Sequence, residues 1–294
     1  MSIITSKNCG QSILGTGTSG CRTIKAYIEK ELLLQKGYKF DKANDTLDLT
    51  EVKKLIKKEI LVVLPKSIGF TANNKEATYE EIQKMDLPIS GIAYGWKKNY
   101  KADKCLAAGL KSLSKKEWDL LQVDDNGELN VAETSDGFIK GFDLNLVNFE
   151  GMTDNDGAVS AKLTLYFQLS KEGSEEYSSS WNTIGKESVN WKSLNGVDQV
   201  SILKTADNKI QVNFACDQST PVEGLTAANF RVLDSDGVVV PGATFTDNGE
   251  GKYTPTGLTP GEDYVIYLFD SVDATYVISA GNYFYKSNRL AFSA

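Results

Sequence analysis

At 294 residues, 41% hydrophobic and 24% charged, the chain is long enough for two domains with separate cores and ordinary in composition for a globular protein. It contains no histidine, which excludes Ser-His-Asp and Cys-His nucleophiles, histidine-ligated zinc and an imidazole proton shuttle. The net charge of −7 is uneven: residues 197–294 hold 6 basic and 12 acidic side chains against 26 and 27 in 1–196, a balance that disfavours binding to a phosphate backbone.

Residues 1–20 are small and polar, with Gly10, Gly15, Gly17 and Gly20, and read as an extended arm. Arg22–Gln35 carries Ile24, Tyr27, Ile28, Leu32 and Leu33 at helical spacing and is expected to be a helix that Gly37 stops. Leu49–Ile60 reads as a second helix, with Thr50 as cap and Glu51 in its first turn, drifting into a β-like run that Pro65 ends. A short helix is expected over Thr78–Met85, closed by Pro88, then a strand over Gly91–Tyr100 and a helix over Ala102–Leu121 with a break near Ser114. Asp124–Gly127 is a turn followed by a short strand.

The stretch Asp136–Leu169 reads as a long two-stranded ribbon. Phe138, Phe142, Leu144 and Leu146 fall on one face, and Met152–Gly157 is dense in turn formers. On the return, Leu163, Leu165, Phe167 and Leu169 alternate with Lys162, Thr164, Tyr166 and Gln168. Such alternation describes a ribbon with one dry face and one wet or partner-facing face. Two strands alone are marginal in water, so the ribbon must join a larger sheet, its own or a neighbour's. Ser170–Lys192 is polar and reads as a loop pinned by Trp181 and Trp191.

After Gly196 the texture changes to short alternating runs separated by Asp, Asn, Gly and Pro turns, the rhythm of an all-β sandwich. The runs are Gln199–Leu203, Lys209–Cys216, Asn229–Leu233, Val238–Phe245, Gly251–Pro255, Tyr264–Phe269 and Tyr276–Phe284, with a last edge near Leu290–Phe292. The expected division is therefore 1–196, an α+β domain built on an antiparallel β-sandwich or barrel with several helices, and 197–294, all β.

Several motifs have plain readings. Gly15–Gly20 matches GxGxxG, but no buried strand enters it and no βαβ pattern follows, so no dinucleotide site is expected. Asp124–Gly127, Asp154–Gly157 and Asp234–Gly237 resemble calcium loops without the flanking helices and twelfth-position glutamate, and read as turns. Lys53, Lys54, Lys57 and Lys58 form a basic helical face without an aromatic platform, hence a solvated or subunit-facing surface. Cys9, Cys21, Cys105 and Cys216 are few and scattered, and are expected to be buried thiols. No run of about 18 apolar residues is present, and the first ten residues lack the pattern of an export signal. No catalytic group, cofactor or metal site is expected. Tyr276, Tyr283, Phe284 and Tyr285 could form an exposed aromatic stripe able to meet a glycan.

Tyr253-Thr-Pro-Thr-Gly-Leu258-Thr-Pro260-Gly261-Glu-Asp-Tyr264 resembles the corner between two strands in fibronectin type III and related immunoglobulin-like domains. The resemblance implies that Leu258 packs under the corner, Pro260-Gly261 turns the chain, and the Tyr264 hydroxyl bonds back across the turn. The antibody-type disulfide is absent, since Cys216 is the one cysteine in this part.

Taken whole, a domain centred on an amphipathic ribbon with a glycine-rich arm, followed by an acidic immunoglobulin-like module, resembles the major tail tube protein of a long-tailed bacteriophage. The likeness is one of organisation, and the four helical segments expected in 22–121 exceed the family's usual single helix. It implies a virion protein assembled in the host cytoplasm: a homo-oligomeric ring, commonly a hexamer, with rings stacked by arms and loops, no membrane and no reaction. It further implies that Phe138–Phe149 and Ala161–Leu169 form a continuous barrel around an acidic lumen. DNA would pass without specific binding, a tape-measure protein would be a partner, and the exterior module could touch a host-surface glycan. Lys140, Asp143, Asn145, Lys162, Thr164, Tyr166 and Gln168 are then the lumen or inter-subunit candidates. A capsid decoration, connector or baseplate subunit, or a surface adhesin, are the alternative readings.

Overall fold

A computed structural model describes residues 27–294 apart from 46, 75–77, 83–84, 91–92, 155–159, 180 and 188. The arm, the GxGxxG match, Cys9, Cys21 and most of the 154–157 turn lie outside the described residues. The chain is a β-rich α+β protein whose sheets are mostly antiparallel. It divides into two compact units, residues up to Val52 with Ile60–Leu194, and Lys53–Glu59 with Asn195–Ala294.

Through residue 101 the elements are β1 (Ile28–Gln35), β2 (Phe40–Asp41), α1 (Leu49–Lys57), β3 (Leu61–Val63), β4 (Gly69–Ala72), β5 (Thr78–Ile82), β6 (Met85–Ser90) and β7 (Gly95–Lys101). They continue as α2 (Lys104–Leu113), β8 (Trp118–Asp124), β9 (Leu129–Glu133), β10 (Phe138–Lys140), β11 (Phe142–Thr153), β12 (Lys162–Leu169), α3 (Lys171–Ser179) and β13 (Trp181–Ile184). One sheet runs β2-β10-β9-β8-β11-β12-β7-β4, with β1 joining β8 to β3 and β13 beside β9. Its inner face packs Trp96, Tyr100, Trp118, Leu120, Phe142 and Phe167 into one buried cluster, which Leu33, Leu163, Leu165 and Leu169 also join.

Three helical expectations change. Ile28–Gln35 is a strand, because β3 and β8 flank it on both edges and residues 31–34 are wholly buried; continuous burial erases the alternation that marks a half-exposed strand. Thr78–Met85 contributes β5 and the start of β6, paired as a hairpin. The helix over Ala102–Leu121 ends at Leu113, and Trp118–Asp124 is a strand buried at all seven positions. Asp103 caps α2 by accepting the Leu106 N–H at 2.7 Å. Asp48, rather than Thr50, accepts the Glu51 N–H at the start of α1. Conversely, Lys171–Ser179 is a helix where a loop was expected, while Trp191 is buried nearby in sequence as a pin.

The inner face of the first unit holds an unusual polar row. Glu31, Gln122, Asn130 and Thr183 stand opposite one another on β1, β8, β9 and β13. Glu31 is fully buried and meets the equally buried Lys98 at 2.9 Å, yet neither carboxylate oxygen has a well-aligned hydrogen bond. Burial therefore holds the Glu31 carboxyl above its ordinary range, with Lys98 opposing that shift.

The second unit holds β14 (Val197–Lys204), β15 (Ile210–Phe214), β16 (Phe230–Leu233), β17 (Thr244–Asp247), β18 (Lys252–Thr256), β19 (Asp263–Leu268), β20 (Val277–Ala280), β21 (Tyr283–Ser287) and β22 (Leu290–Ser293). The run Tyr276–Phe284 is two strands, folded back at Gly281, whose φ of +63° suits glycine. A six-stranded sheet, β17-β18-β15-β14-β21-β20, faces a three-stranded one, β16-β19-β22. Val200, Ile202 and Val212 from the first meet Val232, Ile266 and Leu268 from the second in one core. Lys57 pairs with Asp270 at 2.8 Å and with Asp273.

Cys105 and Cys216 each take part in a disulfide, and no free cysteine occurs among the described residues. This corrects the expectation of buried thiols: for small, scattered cysteines, spacing in the sequence carries no information about contacts made by the fold.

Candidate assembly edge

The ribbon exists, but it is not one continuous strand pair. Gly141 separates β10 from β11 where the chain crosses β8 closely; a Cβ there would lie 2.8 Å from the Asp119 Cβ and 2.9 Å from the Leu120 nitrogen. β10 pairs with β2 and β9, whereas β11 pairs with β12. On β12 the expected alternation holds, with Leu163, Leu165, Phe167 and Leu169 in the core and Lys162, Thr164 and Tyr166 half-exposed. On β11 it fails at a bulge between Leu144 and Leu146. The extra residue, Asn145, flips the following side chains, so Leu146 is exposed and Val147 enters the core.

The site candidates divide into two groups. Lys140 and Asp143 belong to a charged cluster where β8, β10, β11 and α3 converge. Lys140 pairs with Glu172 and Glu176, both at 2.8 Å, and Asp143 pairs with Lys36 at 2.7 Å. Asp143 also stands opposite Asp119, whose carboxylate accepts the Gly37 N–H at 3.0 Å. Burial pushes Asp119 up to about 6, and the Asp143 charge adds to it against the Gly37 bond and Lys36. Burial would raise Asp143 too, but its bonds to Lys36 and Ser170 outweigh it and hold that carboxyl low. Both residues are thus tied up within the subunit.

The second group lines the outward face of the strands β11-β12-β7-β4. Lys162 lies between Thr153 and Lys101, Thr164 between Gly151 and Asn99, and Tyr166 between Asn148 and Lys97. Gln168 continues the row opposite Leu146 but is buried, and Asn145 is exposed at the bulge. This face is not acidic: it carries Lys97, Lys101 and Lys162, and Lys97 is paired with Glu150 at 2.8 Å.

Sequence patterning did not reveal the edges. β12 is bonded on both sides, by β11 and β7. β11 is not: beyond the two pairings of Phe142 and Asp143 with β8, no strand covers its outer edge among the described residues. Two side chains touch that edge, Lys36 Nζ donating to the Leu144 carbonyl at 3.0 Å and Ser114 Oγ accepting the Phe149 N–H at 2.9 Å. At the far end of the same path no strand among the described residues pairs the outer side of β4, and Ile68 and Phe70 are 62% and 54% exposed. Open edges of this kind are templates for strand addition.

Among the described residues no group of three metal-binding side chains occurs. Asp124 and Asp234 bond the amides of their own turns, Asn126 and Glu128 for the first, Asp236 and Val238 for the second. No helix described is long and apolar enough to cross a membrane. At the corner of the second unit, Tyr264 Oη accepts the Thr259 N–H at 2.9 Å, Leu258 packs against the core, and Gly261 has φ +85°. Of the aromatic stripe, Tyr276 and Tyr283 are exposed, but the adjacent Phe284 and Tyr285 are both buried, Tyr285 within the core cluster and Phe284 outside it. Comparison with protein-family models, curated proteins and solved structures finds no match to this chain.

Proposed function

We propose that the chain is a structural subunit of a virus particle, a bacteriophage tail tube protein that assembles through its strand edges into stacked rings. The observation that supports this reading best is the outer edge of β11, which beyond Asp143 no strand pairs among the described residues. β11, β12, β7 and β4 alternate in direction, so the β4 edge of one copy set against the β11 edge of the next continues an antiparallel sheet. Such a head-to-tail contact generates a ring when its rotation closes.

On this reading the face bearing Lys162, Thr164 and Tyr166 lines the channel. DNA passes over a surface in which Glu150 neutralises Lys97, leaving Lys101 and Lys162 as its cations. The second unit is an immunoglobulin-like exterior module, a reading supported by its two facing sheets and the Tyr264 corner. Two of the four helical segments expected before residue 121 are strands, which brings the chain nearer to the one-helix pattern of the family. Disulfides persist in oxidising surroundings, including particle surfaces, and those of Cys105 and Cys216 suit a protein released in virions.

A second reading, a capsid decoration, connector or baseplate subunit, shares the edge and is favoured by the outward face being basic where an acidic lumen is expected. Sedimentation and electron microscopy of the purified protein test the assembly. Rings that stack into tubes support the first reading, closed non-stacking oligomers the second, and a strict monomer at high concentration refutes both.

A further inference from the structure

We propose that the second unit carries a binding site for an acidic sugar, a pyranose bearing a carboxylate, at the cluster formed by Arg231, Phe269, Tyr276 and Arg289. This site is independent of the tube reading, since it uses neither β4 nor β11.

In 197–294 acidic side chains outnumber basic ones two to one, so a cation there should find a carboxylate. Lys209, Lys252 and Lys286 do, while Lys204 donates to the Ser293 carbonyl at 2.6 Å and lies over the Phe292 ring. Neither arginine has an ion-pair partner among the described residues. The acids nearest in sequence to Phe269, Asp270 and Asp273, are held by Lys57.

Both arginines lie on aromatic rings instead. The Arg231 guanidinium is centred 3.5 Å from the Phe269 ring, and that of Arg289 is 5.1 and 5.5 Å from Tyr267 and Tyr276. The three rings touch one another, with centroids 5.6–6.1 Å apart. The strand pattern places the cluster on the face of β19 away from the core, because Tyr264, Ile266 and Leu268 point inward and Arg231 stands opposite Tyr267.

Beside Arg231 and Phe269 runs a groove of about 190 Å³, walled by Val239, Val240 and Ser271. It is small for a drug-sized ligand and suited to about one ring. The Arg231 guanidinium, lying on the Phe269 ring, can still turn its N–H fork to a carboxylate, whereas Arg289 already donates from Nη2 to the Tyr276 hydroxyl at 3.2 Å and has its remaining N–H groups for the ligand. Tyr276, 49% exposed, offers a flat apolar face for the C–H side of a pyranose. The surrounding negative charge argues against a dense polyanion such as nucleic acid and for a ligand with widely spaced charges.

Calorimetry on the full chain tests the site, with oligogalacturonate as probe and neutral galacto-oligosaccharide and a glutamate-rich peptide as controls. We expect saturable binding at about millimolar concentration or tighter, weakened about tenfold or more by Arg231→Gln and separately by Arg289→Gln. Tyr276→Ala, at an exposed position, should weaken binding while leaving the melting temperature unchanged, which separates loss of the site from loss of the fold. The proposal is overturned if oligogalacturonate does not bind at about 10 mM. It is equally overturned if the neutral sugar or the acidic peptide binds as well, or if the three variants bind like the parent.

Discussion

Asp119→Asn should stabilise the first unit above neutral pH. Asp119 is 4% exposed, faces Asp143 across the β8–β11 pair, and titrates near 6 in the folded chain against 3.8 for the ordinary group. A carboxyl whose folded value is raised contributes stability that is complete below the unfolded value and is lost as pH rises through the folded one. That loss amounts to about 3 kcal/mol between pH 4 and pH 8. The amide escapes it, but accepts the Gly37 N–H as a neutral partner, which gives back about 1 kcal/mol. The net expectation is a gain of about 1–2 kcal/mol at pH 8, shrinking to nothing or reversing by pH 4. Urea unfolding followed by tryptophan fluorescence reports on this unit alone, because Trp96, Trp118, Trp181 and Trp191 all lie in it. An Asp119→Asn protein that is less stable than the parent at pH 8, with the same pH slope, would refute the reasoning.

Three further substitutions probe other parts of the account. Lys98→Met leaves the buried Glu31 unpaired and should cost about 3–5 kcal/mol, and adding Glu31→Gln should recover much of it; additive losses in a double-mutant cycle would count against a coupled pair. Gly173→Ala drives a Cβ into the Asp143 backbone carbonyl, so α3 must shift, and loss of about 3 kcal/mol or more is expected by the same fluorescence assay. Tyr264→Phe removes the acceptor of the Thr259 N–H and should cost the second unit about 1 kcal/mol, read by tyrosine near-ultraviolet circular dichroism; no change would deny the corner its role.

What the sequence made legible was the half-exposed structure. β12 was readable because Lys162, Thr164 and Tyr166 alternate with core leucines and Phe167, and most strands of the second unit because turns punctuate them, although the run expected over Val238–Phe245 becomes a strand only at Thr244–Asp247. Two strands buried on both faces, β1 and β8, take the form of helices in the sequence. β1 and β8 lack polar alternation, and the leucine spacing of Glu31–Leu34 and Trp118–Leu121 mimics a helix. Of the candidate row, Lys162, Thr164 and Tyr166 alternate with the core residues as the pattern expects, whereas Gln168 is buried. Lys140 and Asp143 instead join an internal charged cluster, because the break at Gly141 comes from close backbone approach, and the bulge at Asn145 that turns Leu146 outward comes from pairing register; neither leaves a periodic trace. The open edge itself is a property of strand order, and strand order is set by contacts distant in sequence.

Residue-resolved hydrogen exchange on the assembled protein against the dissociated subunit tests the assembly most directly. Pairing between copies predicts that amides on the outer edges of β11, over Leu144–Thr153, and of β4, over Gly69–Ala72, slow by orders of magnitude on assembly while those of β12 change little. Unchanged exchange at both edges in a protein that still forms oligomers would show that its subunits are held together some other way.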